Sequence, residues 1–190
     1  MATASFGKWR NYYNKAWFSE KNNTSSSNTN FTDNMAGYGA WSVVKITTGA
    51  VTGGNKLGTM TVKIGLGKYL VSPVYPTIYL SKTAYGSGNS PTDNIDSYSP
   101  SNVSFASATS VTEVTCTFDC SSLSATSAHT LYLWVGGGDK YFYAKRNKQG
   151  VTWSISLTHT MSTRSVSYNS NGGSGTMGPY SVTYNGTHKV

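Results

Sequence analysis

Apolar and polar side chains alternate, residue by residue, in several short segments of this chain. Between residues 60 and 66 every second side chain is apolar, and the residues between are Thr61, Lys63 and Gly65. Residues 151–158 repeat the pattern. Because successive side chains of a β-strand point to opposite faces, this period of two predicts strands with one face on a core. No stretch combines sustained helical periodicity with a helix cap and a stop signal.

Other segments that alternate less clearly also predict strands, because they are rich in β-branched and aromatic residues. They are 41–48, 75–81, 111–119, 130–135 and 140–145, with 15–22 as a candidate additional strand. Connections dense in Gly, Asn and Ser separate them at 48–56, 84–94 and 121–128, and the polar tract 22–34 is expected to be a surface loop.

Seven or eight short strands with one apolar face predict an all-β fold. We expect an antiparallel β-sandwich or jelly roll over residues 1–160, followed by a C-terminal β-hairpin in residues 161–190. The expected core positions are Met60, Val62, Ile64, Leu66, Val114, Cys116, Phe118, Trp153, Ile155 and Leu157.

The two cysteines, Cys116 and Cys120, lie four residues apart. In a regular strand their Cα atoms would be about 13 Å apart, whereas a disulfide requires about 7 Å or less. Both fall on the face shared by Val114 and Phe118, so we predict unpaired thiols that pack as small core residues. The alternative is a strand that ends before Cys120 and turns back.

The charge balance is basic but dispersed. The chain has 15 Lys and Arg against 7 Asp and Glu, a net charge of +8, which could favour nucleic acid or another anionic polymer. The basic residues form no stripe, and the one cluster, at 140–148, is also explained as a solvated hairpin tip. We therefore predict no nucleic-acid binding.

The N-terminal residues 1–17 lack the apolar core of a signal peptide, and no apolar run reaches membrane-spanning length. We expect no membrane insertion and no classical secretion. A composition poor in charge and rich in Ser, Thr and Tyr, without a signal, is typical of a phage virion protein, which is assembled in the cytoplasm and acts outside it.

A more specific motif lies near the C-terminus. Residues 166–169 read Val-Ser-Tyr-Asn, residues 171–177 read Asn-Gly-Gly-Ser-Gly-Thr-Met, and residues 182–184 read Val-Thr-Tyr. Two alternating strands flanking a turn of Asn and Gly predict a hairpin. Residues 164–185 resemble the start of the internalin-B type repeat, a β-grasp-like module. The resemblance implies a spacer or adhesive segment, as in bacterial surface proteins and some phage tail proteins.

Groups that could carry catalysis are few. The one close acidic pair, Asp93 and Asp96, lies in a stretch rich in Pro, Ser and Gly, and we interpret it as solvated, with a calcium site as the alternative. The histidines, His129, His159 and His188, have no metal-binding or nucleophile spacing, and His159 continues the apolar face of its strand. We predict no enzymatic activity, no cofactor and no metal.

The candidate ligand-binding residues are aromatic. Tyr132 shares one strand face with Trp134, and Tyr141 shares one with Tyr143, across a predicted hairpin turn at 136–139. These rings could form a platform for sugars or a protein interface. The alternative is that Trp134 packs within the sandwich while the tyrosines form cross-strand pairs.

Two functions remain in view. The first is a non-enzymatic phage virion protein of the tail or tail tip, which binds other virion proteins or itself as a homo-oligomer, or contacts a host-surface glycan. The second is a carbohydrate-binding or adhesin module of a bacterial cell surface. An enzyme domain is disfavoured by the poor supply of catalytic groups.

Overall fold

Strands form the regular structure of the described part of the chain. A computed structural model describes residues 2–13, 15–17, 19–20, 41–68, 77–99, 111–136, 142–145, 153–167, 171 and 178–183, and these ranges contain no helix. The strands are β1 (Ala4–Tyr13), β2 (Ala16–Trp17), β3 (Trp41–Thr48), β4 (Gly54–Lys68), β5 (Ile78–Ser81), β6 (Asn94–Tyr98), β7 (Val111–Asp119), β8 (Thr130–Gly136), β9 (Phe142–Lys145), β10 (Ser154–Met161), β11 (Thr163–Val166) and β12 (Tyr180–Thr183).

The strands form two main antiparallel sheets. The six-stranded sheet has the order β2-β1-β3-β8-β5-β6, and the four-stranded sheet has the order β10-β4-β7, with β9 paired to the far end of β4. The predicted all-β sandwich is therefore confirmed. The described part of the chain contains no helix long and apolar enough to cross a bilayer.

The core lies between the two sheets and follows the alternation in the sequence. Every second residue of β4 from Met60 to Leu66 is fully buried, and β7 contributes Val114, Cys116 and Phe118 from across the ladder. The six-stranded sheet adds the inward residues of β3, β5 and β8. All predicted core positions are buried except Ile155, which is half-buried against the same cluster.

Polar and aromatic contacts close the two open sides of the sandwich. On one side Asp96 of β6 accepts the backbone N–H of Asp119, which ends β7, at 2.7 Å. On the other side Phe6 of β1 packs against Trp153 beside β10, with ring centroids 5.5 Å apart. His159 lies in strand β10, as predicted, and its ring nitrogen accepts the N–H of Ala2 at 3.1 Å.

Strands β1 and β6 were not predicted. The register of β1 against β3 shifts between Phe6 and Trp9, and this irregularity interrupts the alternation that reveals a strand. Strand β6 has a half-exposed pattern, and it includes Asp96, which the sequence placed in a loop. The loop assignment of Asp96 is therefore wrong, because its backbone pairs with Leu80 of β5.

The hairpin predicted across residues 136–139 is also wrong. Strand β8 lies between β3 and β5 in the six-stranded sheet, whereas β9 pairs with β4 in the other sheet. Gly136 does have a positive φ of 118°, as the glycine-rich sequence suggested, but the chain there passes from one sheet to the other. Local turn chemistry permits a reversal without deciding which strand becomes the partner.

The C-terminal hairpin forms as predicted. Strand β11 pairs with β12 from Thr163 opposite Thr183 to Val166 opposite Tyr180, in a two-stranded sheet of its own. Only Ser162 separates β11 from β10, and its N–H donates to the carbonyl of Gly53 at 2.9 Å. The start of the hairpin is thus attached to the sandwich.

Candidate functional site

The outward surface of the six-stranded sheet carries a second hydrophobic cluster, separate from the core. Its position follows from register: Tyr12 lies opposite Trp41, and Trp134 lies between Val43 and Tyr79 on adjoining strands. The described rings of this cluster, which we name the aromatic face, are Tyr12, Trp17, Trp41, Tyr79, Tyr85, Tyr132 and Trp134.

Trp134 forms the buried centre of the aromatic face. Its side chain is fully buried, and its indole N–H donates to the carbonyl of Thr83 at 2.9 Å. Trp17 and Trp41 pack edge-to-face against it, with centroids at 5.6 and 5.5 Å. This geometry is favourable for aromatic quadrupoles, so Trp134 supports the other rings and offers no surface to a ligand.

Five rings around this centre keep part of their surface in solvent: Tyr12, Trp17, Tyr79, Tyr85 and Tyr132. Trp17 lies 5.2 Å from Tyr12 and 6.4 Å from Tyr85, measured between centroids. Its indole N–H donates to the carbonyl of Gly88 at 2.7 Å, which ties the loop after β5 to the short strand β2. These contacts fix the orientation of the half-buried rings.

Charged groups line one side of the aromatic face. The guanidinium carbon of Arg10 lies 5.6 Å from the centroid of Trp17 and 5.8 Å from that of Tyr85, both within cation–π range. Lys8 forms an ion pair with Glu20 at 2.8 Å between Nζ and Oε2. The hydroxyl of Tyr85 donates to the other oxygen of Glu20.

This network shifts the proton affinities of its members. Hydrogen bonds from Lys8, and then from Tyr85, lower the pKa of Glu20. Burial, and then the hydrogen bond to Glu20, raise the pKa of Tyr85 well above its usual range. Burial also raises the pKa of Tyr132, with a smaller contribution from Glu20. At neutral pH the carboxylate is therefore charged and both phenols are neutral.

The predicted binding residues that the structure describes lie on two different sheets. Tyr132 and Trp134 share the outward face of β8, as predicted, but Trp134 is buried, which matches the alternative of a packed tryptophan. Tyr143 belongs to β9 in the other sheet, and Tyr141 lies outside the described residues. The four residues therefore do not share one strand pair.

Most of the aromatic face was missed from the sequence. Tyr12 and Arg10 lie on β1, where the register shift hides the strand, and Tyr85 comes from a loop. The signal that could have located β1 is the alternation of Arg10 and Tyr12 with the buried Trp9 and Asn11, because all four residues follow the irregular step.

No protein-family model, curated protein or solved structure matches this chain. The function must therefore be inferred from the geometry. A set of fixed, partly exposed rings beside a guanidinium suits the binding of a molecule with flat apolar faces and polar edges. The resemblance of residues 164–185 to the internalin-B type repeat stays a prediction.

The other candidate groups in the described residues include the carboxylate of Asp96 and the two cysteine thiols. Asp96 accepts backbone N–H groups from Asp119 and Ser97, each at 2.7 Å. Cys116 and Cys120 are free and buried, as predicted. Among the described residues no three His, Cys, Asp or Glu side chains gather as a metal site would require.

Proposed function

We propose that this chain is a non-enzymatic virion protein of a phage tail or tail tip, which acts in assembly or host-surface attachment through the aromatic face. The proposal places the chain in a binding role, with virion proteins, further copies of itself or a host-surface glycan as partners. Attachment is the role that the geometry favours.

The observation that carries the proposal is the second cluster itself. The inward face of the six-stranded sheet packs in the core, whereas five of the seven aromatic rings on the outward face keep part of their surface in solvent. Partly exposed Trp and Tyr beside Arg are the residues most enriched where proteins bind their partners. The resemblance of residues 164–185 to repeats in bacterial surface and phage tail proteins supports the setting.

The location can be tested on particles released from a host that encodes the chain. We expect mass spectrometry to detect the protein in purified particles, and gold-labelled antibody to mark the tail. Recovery of the protein only from the bacterial envelope, with none in particles, would contradict the virion assignment.

The binding role can be tested with Trp17→Ala, which removes a partly exposed ring from a two-residue edge strand. We expect particles that assemble normally but adsorb about tenfold less to host cells, since truncating a tryptophan at a binding surface typically costs more than about 1 kcal/mol. Thr117→Ala, exposed on the other sheet, is the control and should adsorb normally. Normal adsorption by Trp17→Ala would exclude the aromatic face from attachment.

The second candidate is a carbohydrate-binding or adhesin module of a bacterial surface protein. The same aromatic face favours it, because tyrosine and tryptophan rings stack against the apolar faces of sugars. The two functions differ in location and share the binding surface, so recovery from the envelope would favour this candidate.

A further inference from the structure

Three cations lie beside the aromatic face. Lys8 and Arg10 lie beside the rings, and Lys45 is on the outward face of β3, directly opposite Tyr132 in the ladder. Glu20 is the single acidic side chain placed in this network among the described residues. Three positive charges against one negative charge give this part of the surface a net attraction for anions.

The guanidinium of Arg10 lies close to the loop that follows β5. Gly86 adopts a φ of +90°, which side chains other than glycine rarely adopt, and a Cβ there would lie 3.0 Å from a guanidinium nitrogen of Arg10. The nearby Gly88 carbonyl accepts the indole N–H of Trp17. The loop therefore holds the guanidinium and the indole together, so little ordering entropy remains to be lost on binding.

We propose that the aromatic face binds a carboxylate-bearing acidic polysaccharide. One sugar ring packs on the solvent-exposed part of the aromatic face beside Arg10, and its carboxylate pairs with Arg10 and Lys8. The inference rests on the proposed binding function and adds the chemical class of the ligand.

The charge of Glu20 should affect the affinity for an acidic sugar in a way that can be measured. When no ligand is bound, the Glu20 carboxylate forms an ion pair with Lys8. Its negative charge also repels an anionic ligand, so Glu20 opposes the binding of an acidic sugar. The affinity for a neutral sugar should hardly depend on this charge. Removing Arg10 and removing Glu20 should therefore change the affinity for an acidic ligand in opposite directions.

Charge complementarity favours an acidic sugar over a nucleic acid. Single-stranded nucleic acids are bound by grooves whose cations follow the backbone over several nucleotides. Here Lys8 and Arg10 lie beside the same rings, with the carboxylate of Glu20 next to them. A single carboxylate next to a stacked ring fits that group better than a continuous phosphate backbone.

The test is isothermal titration calorimetry with oligogalacturonides as the acidic probe and maltooligosaccharides as the neutral one. We expect the wild-type chain to bind only the acidic probe, and the affinity to fall as salt rises. Arg10→Gln should weaken binding about tenfold, as expected for a charge-assisted pair. Glu20→Gln should strengthen it about threefold, as expected for an exposed charge.

Lys8→Gln and Lys63→Gln form a matched pair. Each lysine is paired with a glutamate, at 2.8 and 3.0 Å, and is well exposed on the outward side of its sheet. Lys8→Gln should weaken binding, and Lys63→Gln should leave it unchanged. Thermal melts should show that both variants fold like the wild type, because both side chains are exposed.

Equal binding of both sugars, equal effects of the two lysine variants, or tighter binding of single-stranded DNA would overturn the proposal. A failure here is distinct from a failure of the proposed function. If no acidic sugar binds while Trp17→Ala still lowers adsorption, the ligand class is wrong and the attachment role stands. If oligogalacturonides bind while Trp17→Ala particles adsorb normally, the attachment role is wrong instead.

Discussion

At the residue scale, Trp134 shows how a correct face assignment can still mislead about function. Alternation correctly placed Trp134 with Tyr132 on the outward face of β8. Its burial depends on Trp17 and Trp41, which come from β2 and β3 and cover its ring. Residues distant in sequence therefore converted a candidate ligand contact into the centre of a small second core.

The two thiols are a case in which both sequence hypotheses contain part of the answer. Strand β7 ends at Asp119, and a turn follows in which the N–H of Leu123 donates to the carbonyl of Cys120. The chain thus bends at Cys120, as the alternative required, yet both thiols are unpaired and fully buried, as the main hypothesis required.

Burial of the thiols predicts a loss of stability at alkaline pH. Burial raises the pKa of Cys116 and of Cys120 to about 12, from an ordinary value of 9.0. Above pH 9 the unfolded chain loses protons that the native state keeps, so the free energy of unfolding falls, by at most about 1.4 kcal/mol per pH unit for each thiol.

Urea unfolding at pH 8 and at pH 10 measures this effect. We expect Cys116→Ala to lose less stability between the two pH values than the wild type, because one of the titrating groups is gone. Thr117→Ala, an exposed neighbour on the same strand, should lose as much as the wild type. An equal loss in Cys116→Ala would show that its thiol does not contribute.

At the element scale, the C-terminal hairpin has little to pack against. Its described side chains are exposed, apart from the half-buried Val166 and Val182, and neither strand pairs with another described strand. An isolated two-stranded hairpin is marginally stable in water. We infer that contact with another chain orders it, either by strand addition or by packing.

Deleting residues 164–190 should weaken self-association and leave the sandwich folded. The deletion retains Ser162, whose N–H and hydroxyl donate to the carbonyls of Gly53 and Gly54 and so hold the end of β10 in place. Light scattering gives the oligomeric mass, and far-UV circular dichroism reports the strands. An unchanged oligomeric mass in the deletion variant would count against a role for the hairpin in assembly.

At the scale of the whole molecule, the two sheets are joined at their edges as well as through the core. The carboxylate of Asp96 links β6 of one sheet to the end of β7 in the other, by accepting the N–H of Asp119. It also accepts the N–H of Ser97 through its second oxygen. One side chain therefore satisfies backbone donors from both sheets.

Asp96→Ala should lower the free energy of unfolding by about 0.5–1.5 kcal/mol, because it removes two hydrogen bonds whose exposed N–H donors can then bond only to water. Asp96→Asn should lose less, since its amide oxygen can still accept one bond. Asp93→Ala is the control, because Asp93 is exposed and accepts the hydroxyl of Ser81 through its backbone carbonyl, which the substitution keeps. This substitution should change the free energy of unfolding by less than about 0.5 kcal/mol. Urea unfolding followed by tryptophan fluorescence measures all three. An Asp96→Ala variant as stable as Asp93→Ala would mean that the core alone holds the sheets together.

The sequence by itself determined the fold class, most strands and nearly all of the predicted core. Strand β3 and strand β7 match the predicted ranges, because β-branched and aromatic residues favour strands, and this information is local. The C-terminal hairpin could also be predicted from the sequence, since the segments that pair in it lie close together in the chain.

Only the tertiary structure decided which strands are neighbours and which rings meet. Strand β9 leaves β8 to pair with β4, because pairing depends on backbone donors and acceptors that every strand presents alike. The aromatic face gathers side chains from β1, β2, β3, β5, β8 and a loop, so no single segment carries its pattern. A sequence period identifies the faces of a strand, whereas a surface site is assembled by the order of strands in the sheet.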